Sequence, residues 1–167
     1  IWRRLHLGKH VNQMGINLNR SAFLCPGQAS QKVGMCKDIY ESNDFANECL
    51  DSANEILGYD LKKIMFEGPE ELLKQTIYTQ PAMFGVESLL VDDLRRQGRN
   101  ASLVAGHSLG EIVALYAAEV FDAKTALLLL KRRSELMAAA GGGAMSAVIG
   151  FEREQLDDLI EATEGVV

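Results

Sequence analysis

The sequence predicts an α/β fold, a parallel sheet flanked by helices, on three observations. Gly106-His107-Ser108-Leu109-Gly110 stands between a short, apolar, β-compatible stretch at 102–105 and a run of helix formers at 111–118, the strand–turn–helix layout of a nucleophile elbow. A second short apolar stretch, Ser21-Ala22-Phe23-Leu24-Cys25, is ended by Pro26-Gly27. Segments of helical length and patterning lie between the two and follow the second.

Taken in order, residues 1–20 hold Arg3, Arg4, Lys9 and Arg20 and no acidic side chain. This leader reads either as an organelle transit segment or its remnant, or as a disordered tail. With Ile1 in place of Met, the chain reads as a fragment at this end. Residues 21–25 are expected to form a short buried strand. Spaced apolar residues from Asp38 to Leu57, among them Ile39, Phe45, Leu50 and Ile56, predict one amphipathic helix that Gly58 stops. Gly68-Pro69-Glu70-Glu71 marks a helix start, with proline in the first turn and acids at the positive dipole end. A longer helix is expected from Pro81 to about Arg96, closed by Gly98. Another is expected from about Asp122 to Ala140, with Lys131, Arg132 and Arg133 further along in an order that suits the macrodipole. Gly141-Gly142-Gly143 is the clearest hinge, followed by a strand at 144–150 and a helix at 152–162. A lone strand and helix cannot bury their apolar faces. The division is therefore a leader at 1–20, the N-terminal part of an α/β core at 21–143, and at 144–167 the opening of a small subdomain cut short at Val167.

A chain of 167 residues, 47% apolar and 24% charged, can bury the core of one soluble domain. Its longest apolar run, ending before Lys131, is far short of a membrane span. Beyond the leader, thirteen basic side chains face twenty-three acidic ones, a net charge of −10. That balance argues against nucleic-acid binding, which rests on clustered Lys and Arg. Cys25, Cys36 and Cys49 form no Cys-x-x-Cys pair. Their odd number and wide spacing argue against a disulfide framework or a zinc site and fit a reducing compartment: plastid or mitochondrion if the leader is a transit segment, otherwise the cytoplasm.

The chemistry centres on Ser108. The elbow glycines permit a sharp turn that leaves the hydroxyl exposed at its apex, and the following helix aims free N–H groups at the same point. A serine needs a base, and the only histidines are His6, His10 and His107. His6 and His10 lie in the polar leader. His107 neighbours the serine, but consecutive side chains diverge at an elbow, so packing or a structural hydrogen bond is its expected job. The Pro26-Gly27-Gln28 turn can present the Gln28 N–H beside that of Leu109, a pair of donors for an oxyanion. Read alone, that turn is more often just a turn, Gln80 either hydrogen-bonds in a cleft or simply precedes the first turn of a helix, and Arg132 and Arg133 are helix-surface charges.

A resemblance then sharpens these roles. Phe23-Leu24-Cys25-Pro26-Gly27-Gln28-Ala29-Ser30-Gln31, Leu57-Gly58-Tyr59-Asp60-Leu61, Thr79-Gln80-Pro81-Ala82, Gly106-His107-Ser108-Leu109-Gly110-Glu111 and the segment 133–150 occur in that order. Together they resemble malonyl-CoA:acyl carrier protein transacylases and the acyltransferase domains of polyketide and fatty acid synthases, over about 21–167. The resemblance implies a hydrolase-like core with a ferredoxin-like small subdomain, and a ping-pong transfer of malonyl from malonyl-CoA, through an ester on Ser108, to the phosphopantetheine thiol of acyl carrier protein. It implies the amides of Gln28 and Leu109 as oxyanion donors, and Arg133, four residues before Met137, as the grip on the malonate carboxylate. Gln80 and His107 join it as substrate-binding residues. No cofactor or metal is implied.

Two positions depart from the family pattern: Cys25 where it has Phe, and Ala29 where it has Gly, a cost of about 1 kcal/mol if position 29 needs a positive φ. The family's base histidine falls beyond the small subdomain, so residues 1–167 alone are expected to show at most residual transfer. Carrier proteins of this kind are acidic, and docking one on an acidic body requires a local basic patch, for which Lys131 and Arg132 are the candidates. Two other readings stand beside the transferase: a serine esterase, which needs no carboxylate clamp, and a non-catalytic paralogue that binds carrier protein.

Overall fold

The computed structural model describes residues 21–140 and 148–165. The leader, the triglycine hinge and the first part of the strand expected at 144–150 lie outside the described residues; residues 148–150 are not strand. The elements are β1 (Ala22–Cys25), α1 (Lys37–Glu41), α2 (Asp44–Leu57), α3 (Leu61–Glu67), α4 (Glu70–Leu73), α5 (Thr76–Arg96), β2 (Leu103–Gly106), α6 (Leu109–Ala117), α7 (Ala123–Ala139) and α8 (Arg153–Ala162).

β1 and β2 pair in parallel, Ala22 opposite Leu103 and Cys25 opposite Gly106. The strand expected to be buried is buried on one face only. Phe23 and Cys25 point into the helices, while Leu24 and Leu103 are exposed on the other side, as the two-residue period of a strand requires. Both strands end at the same edge, where the His107 N–H donates to the Cys25 carbonyl at 3.0 Å. The 26–28 turn and the 106–108 elbow therefore leave the sheet side by side. Gly110 lets them meet: a β-carbon there would collide with the carbonyl oxygen of Cys25 and stand 2.6 Å from that of Pro26.

The helices depart from expectation in three places, each with a physical cause. The single helix expected over 38–57 is two, because Asn43 turns extended and its side chain accepts the Ala46 N–H, starting α2 afresh. Gly58 ends α2 in the left-handed region as expected. α3 was not anticipated; it begins where the Asp60 side chain accepts the Lys63 N–H at 2.9 Å. The third departure matters most. α5 starts at Thr76, so Pro81 lies inside it and not at its head.

A proline five residues into a helix removes the N–H that would bond the carbonyl four residues back. Here that carbonyl belongs to Ile77, and it accepts a hydrogen bond from the Tyr59 hydroxyl at 3.0 Å. The Tyr59 ring also meets Tyr78 edge-on, centroids 4.9 Å apart. Tyr59 thus makes the interior proline tolerable. Tyr59→Phe should keep the packing but orphan the Ile77 carbonyl, lowering stability by about 1–2 kcal/mol. Urea unfolding should show a lower midpoint at an unchanged slope.

α5 runs through the core, flanked by α6 and α7, with Phe84 and Val91 almost wholly buried alongside Leu50, Leu61, Leu109, Val113 and Leu130. α7 opens where the Asp122 carboxylate accepts the Thr125 N–H at 2.8 Å. Lys131, Arg132 and Arg133 sit mid-helix, not in the last turn, and macrodipole compensation does not account for them. Lys131 instead donates to the Ile56 carbonyl in the last turn of α2 at 3.0 Å, where a cation meets the negative end of that helix. α8 carries no buried residue. Among the described residues no helix is long and apolar enough to cross a membrane.

Candidate active site

Ser108 sits between β2 and α6 with φ 57° and ψ −109°, a conformation that a residue with a β-carbon adopts only when its surroundings force it. The forcing is visible in the elbow. A β-carbon on Gly106 would collide with the backbone of Gly110, so the chain folds back on itself within five residues and lifts Ser108 onto the head of α6. The side chain is half-buried.

Arg133, from the middle of α7, reaches the serine. Its Nη2 donates to Ser108 Oγ at 2.9 Å and its Nη1 donates to Gln80 Oε1 at 2.6 Å. Gln80 is fully buried on α5. Its amide nitrogen in turn donates to Thr76 Oγ1 at 2.8 Å and lies 3.2 Å from Met137 Sδ and 3.4 Å from Gln28 Oε1. The Thr76 hydroxyl donates to Gln28 Oε1 at 2.9 Å. One continuous polar chain therefore runs from the serine through a guanidinium and two amides to the turn after β1.

Of the residues singled out in the sequence, Ser108, Arg133, Gln80 and Gln28 converge in this chain. Leu109 is the first residue of α6, directly after the serine, and is buried. His107 stands apart. Its ring is exposed and packs over Gly27, where a β-carbon would stand 2.7 Å from Nδ1. Among the described residues no hydrogen bond joins it to Ser108. Ala29 has φ 79°, so the condition attached to this departure from glycine is met. The strain is held by Gln31, whose Oε1 accepts the Ala29 N–H at 2.8 Å.

Of the two candidates for a basic docking patch, Lys131 is half-buried and donates to the Ile56 carbonyl, and Arg132 is exposed and stands 3.9 Å from Glu135. Burial pushes the Cys25 thiol up to about 12, with Glu87 adding to the effect, so Cys25 stays neutral and unreactive below the sheet end. Glu87 is itself buried, and neither carboxylate oxygen has a hydrogen-bond partner among the described residues. Burial raises that carboxyl to about 8. No group of three or more His, Cys, Asp or Glu residues among the described residues is placed to hold a metal ion.

Thr76, Met137 as a neighbour of Gln80, and Glu87 were missed from sequence. The signal for Thr76 was its spacing of four from Gln80, one helical turn, hidden by placing the helix start at Pro81. For Glu87 it was the spacing of seven from Gln80, which puts both on one face.

Comparison with known proteins fits this geometry. Residues 22–164 match the acyl transferase domain family. A polyketide-biosynthesis malonyl CoA-acyl carrier protein transacylase of Bacillus subtilis is 43% identical over 135 residues, covering 80% of this chain and 46% of that protein. The crystal structure of the malonyl-CoA:ACP transacylase of Synechocystis superposes with a TM-score of 0.81 at 44% identity, covering 87% of this chain and 49% of that one. A type II polyketide acyl-carrier protein in complex with its malonyl-transacylase matches with a TM-score of 0.77 at 35% identity, covering 86% and 48%. The chain spans about half the length of each of these relatives.

Proposed function

The chain belongs to the acyl transferase domain family, and from that premise we propose that its protein transfers malonyl from malonyl-CoA to the phosphopantetheine thiol of an acyl carrier protein, in fatty acid or polyketide synthesis. The observation that carries this reading is the 2.9 Å contact between Arg133 Nη2 and Ser108 Oγ. In a malonyl ester on Oγ the free carboxylate is only two carbons beyond the ester oxygen. A guanidinium already touching Oγ is within reach of that carboxylate, and its planar fork suits two parallel bonds to it. A longer diacid would overshoot. An uncharged acyl chain would leave the guanidinium unused.

In the first half-reaction Ser108 Oγ attacks the thioester carbonyl and gives its proton to a base. The N–H groups of Gln28 and Leu109 meet the oxyanion, and collapse expels the CoA thiol, which takes the proton back. The carrier-protein thiol then repeats the attack on the ester and restores the serine. His107 packs over Gly27, so the reading assigns the base to a histidine outside the described residues. Acyl transfer by residues 1–167 alone is then residual. The relative seen with its carrier protein supports a protein thiol as acceptor.

Incubating the intact protein with malonyl-CoA should give one malonyl adduct on Ser108 by intact mass and peptide mapping. Ser108→Ala should give none, and phosphopantetheinylated carrier protein should discharge it. Absence of the adduct from the unaltered protein, or its persistence on Ser108→Ala, overturns the assignment.

A further inference from the structure

We propose that Thr76 is a positioning residue for the oxyanion donor, an inference that rests on the transferase reading above. Two hydrogen bonds meet at its hydroxyl, and a third, from Arg133 to Gln80, fixes their direction. The Gln80 amide, whose oxygen is taken by Arg133, donates to Thr76 Oγ1 at 2.8 Å. Thr76 Oγ1 has one proton, and it goes to Gln28 Oε1 at 2.9 Å. The Gln28 side chain is thereby hung on the first turn of α5, 48 residues along the sequence but adjacent in space.

Gln28 needs such an anchor. Its main-chain N–H is useful only if it points at the carbonyl oxygen on Ser108, and the close contacts of the turn with the elbow, Gly27 against His107 and Pro26 against Gly110, precede Gln28. Pro26 offers no N–H. Ala29 follows at φ 79°, held by Gln31 from within the same loop. Thr76 and the more distant Gln80 amide, 3.4 Å away, are the contacts that attach the Gln28 side chain to the body of the protein among the described residues. Thr76 is half-buried, and its hydroxyl bonds Gln28 and Gln80 and neither Ser108 nor Arg133. It acts through Gln28.

The same hydroxyl also braces Gln80, so the two directions of action must be separated. A donor set slightly askew slows attack on any acyl group and hardly changes substrate binding. A slackened Gln80 would loosen Arg133 and affect malonyl alone. The test uses the intact protein with malonyl-CoA and acetyl-CoA as donors, in Thr76→Val, Thr76→Ser and Gln28→Ala. Thr76→Val should lower the rate of acyl-enzyme formation on Ser108 about tenfold for both donors, short of the 10²–10³ lost when an oxyanion donor is removed outright. KM for malonyl-CoA should stay within about twofold. Thr76→Ser should restore the rate, and Thr76→Val added to Gln28→Ala should cost nothing further. An unchanged rate in Thr76→Val, a loss confined to malonyl KM, or a serine variant that fails to rescue while melting normally overturns the positioning role. If the unaltered protein forms no adduct on Ser108, the transferase reading itself has failed.

Discussion

Arg133→Ala is expected to cut kcat/KM for malonyl-CoA by about 10²–10⁴ and to spare or improve acetyl-CoA. Two charge-assisted hydrogen bonds to a carboxylate contribute about 1.5–3 kcal/mol each, and each 1.4 kcal/mol is tenfold. Their loss also leaves a partly desolvated carboxylate with no partner. Arg133→Lys should recover little. The two guanidinium nitrogens are separately occupied, by Gln80 Oε1 and Ser108 Oγ, and one ammonium cannot stand in both places. A serine esterase built on the same elbow would be nearly indifferent to either change. Steady-state kinetics with the two donors decides between them. A parallel fall for malonyl and acetyl would make Arg133 an element of serine activation, not a clamp.

The elements that could be read from sequence were those with a local cause. The elbow, β1, the Gly58 stop and the Asp122 cap each depend on a few adjacent residues, and each formed as its residues dictate. The failures are equally physical. Local rules put Pro81 at a helix head because an interior proline orphans a carbonyl, and the remedy, the Tyr59 hydroxyl on Ile77, arrives from eighteen residues away. No local rule contains that contact. The sequence ties Lys131 to the dipole of its own helix because its partner, the Ile56 carbonyl, lies seventy-five residues back.

The site divides the same way. Ser108 and the Gln28 turn were legible as local motifs. Arg133 and Gln80 had no identifying environment in sequence, and family resemblance was needed to single them out from surface arginines and helix-leading glutamines. What resemblance did not supply was Thr76, whose part depends on where α5 begins.

Glu87 makes the largest stability prediction. Its carboxyl is buried on α5 near Cys25, with no hydrogen-bond partner among the described residues, and burial lifts it from 4.5 to about 8. The unfolded chain gives up this proton near pH 4.5 and the folded chain keeps it to about pH 8. Folding is therefore unpenalised by this group below pH 4.5. It grows less favourable as pH rises through the window and reaches its full penalty above 8. By pH 7 the penalty is about 3 kcal/mol, at 1.36 kcal/mol for each unit between the two states, a sizeable part of the ~5–15 kcal/mol that holds a domain folded. Glu87→Gln keeps the shape of the protonated carboxyl and cannot ionise. It should match the unaltered chain at pH 4 and exceed it by about 3 kcal/mol at pH 7, flattening the decline of midpoint with pH in denaturant titrations. If both chains decline in parallel between pH 4.5 and 8, the carboxylate has a donor beyond the described residues, and Glu87 is half of a buried pair.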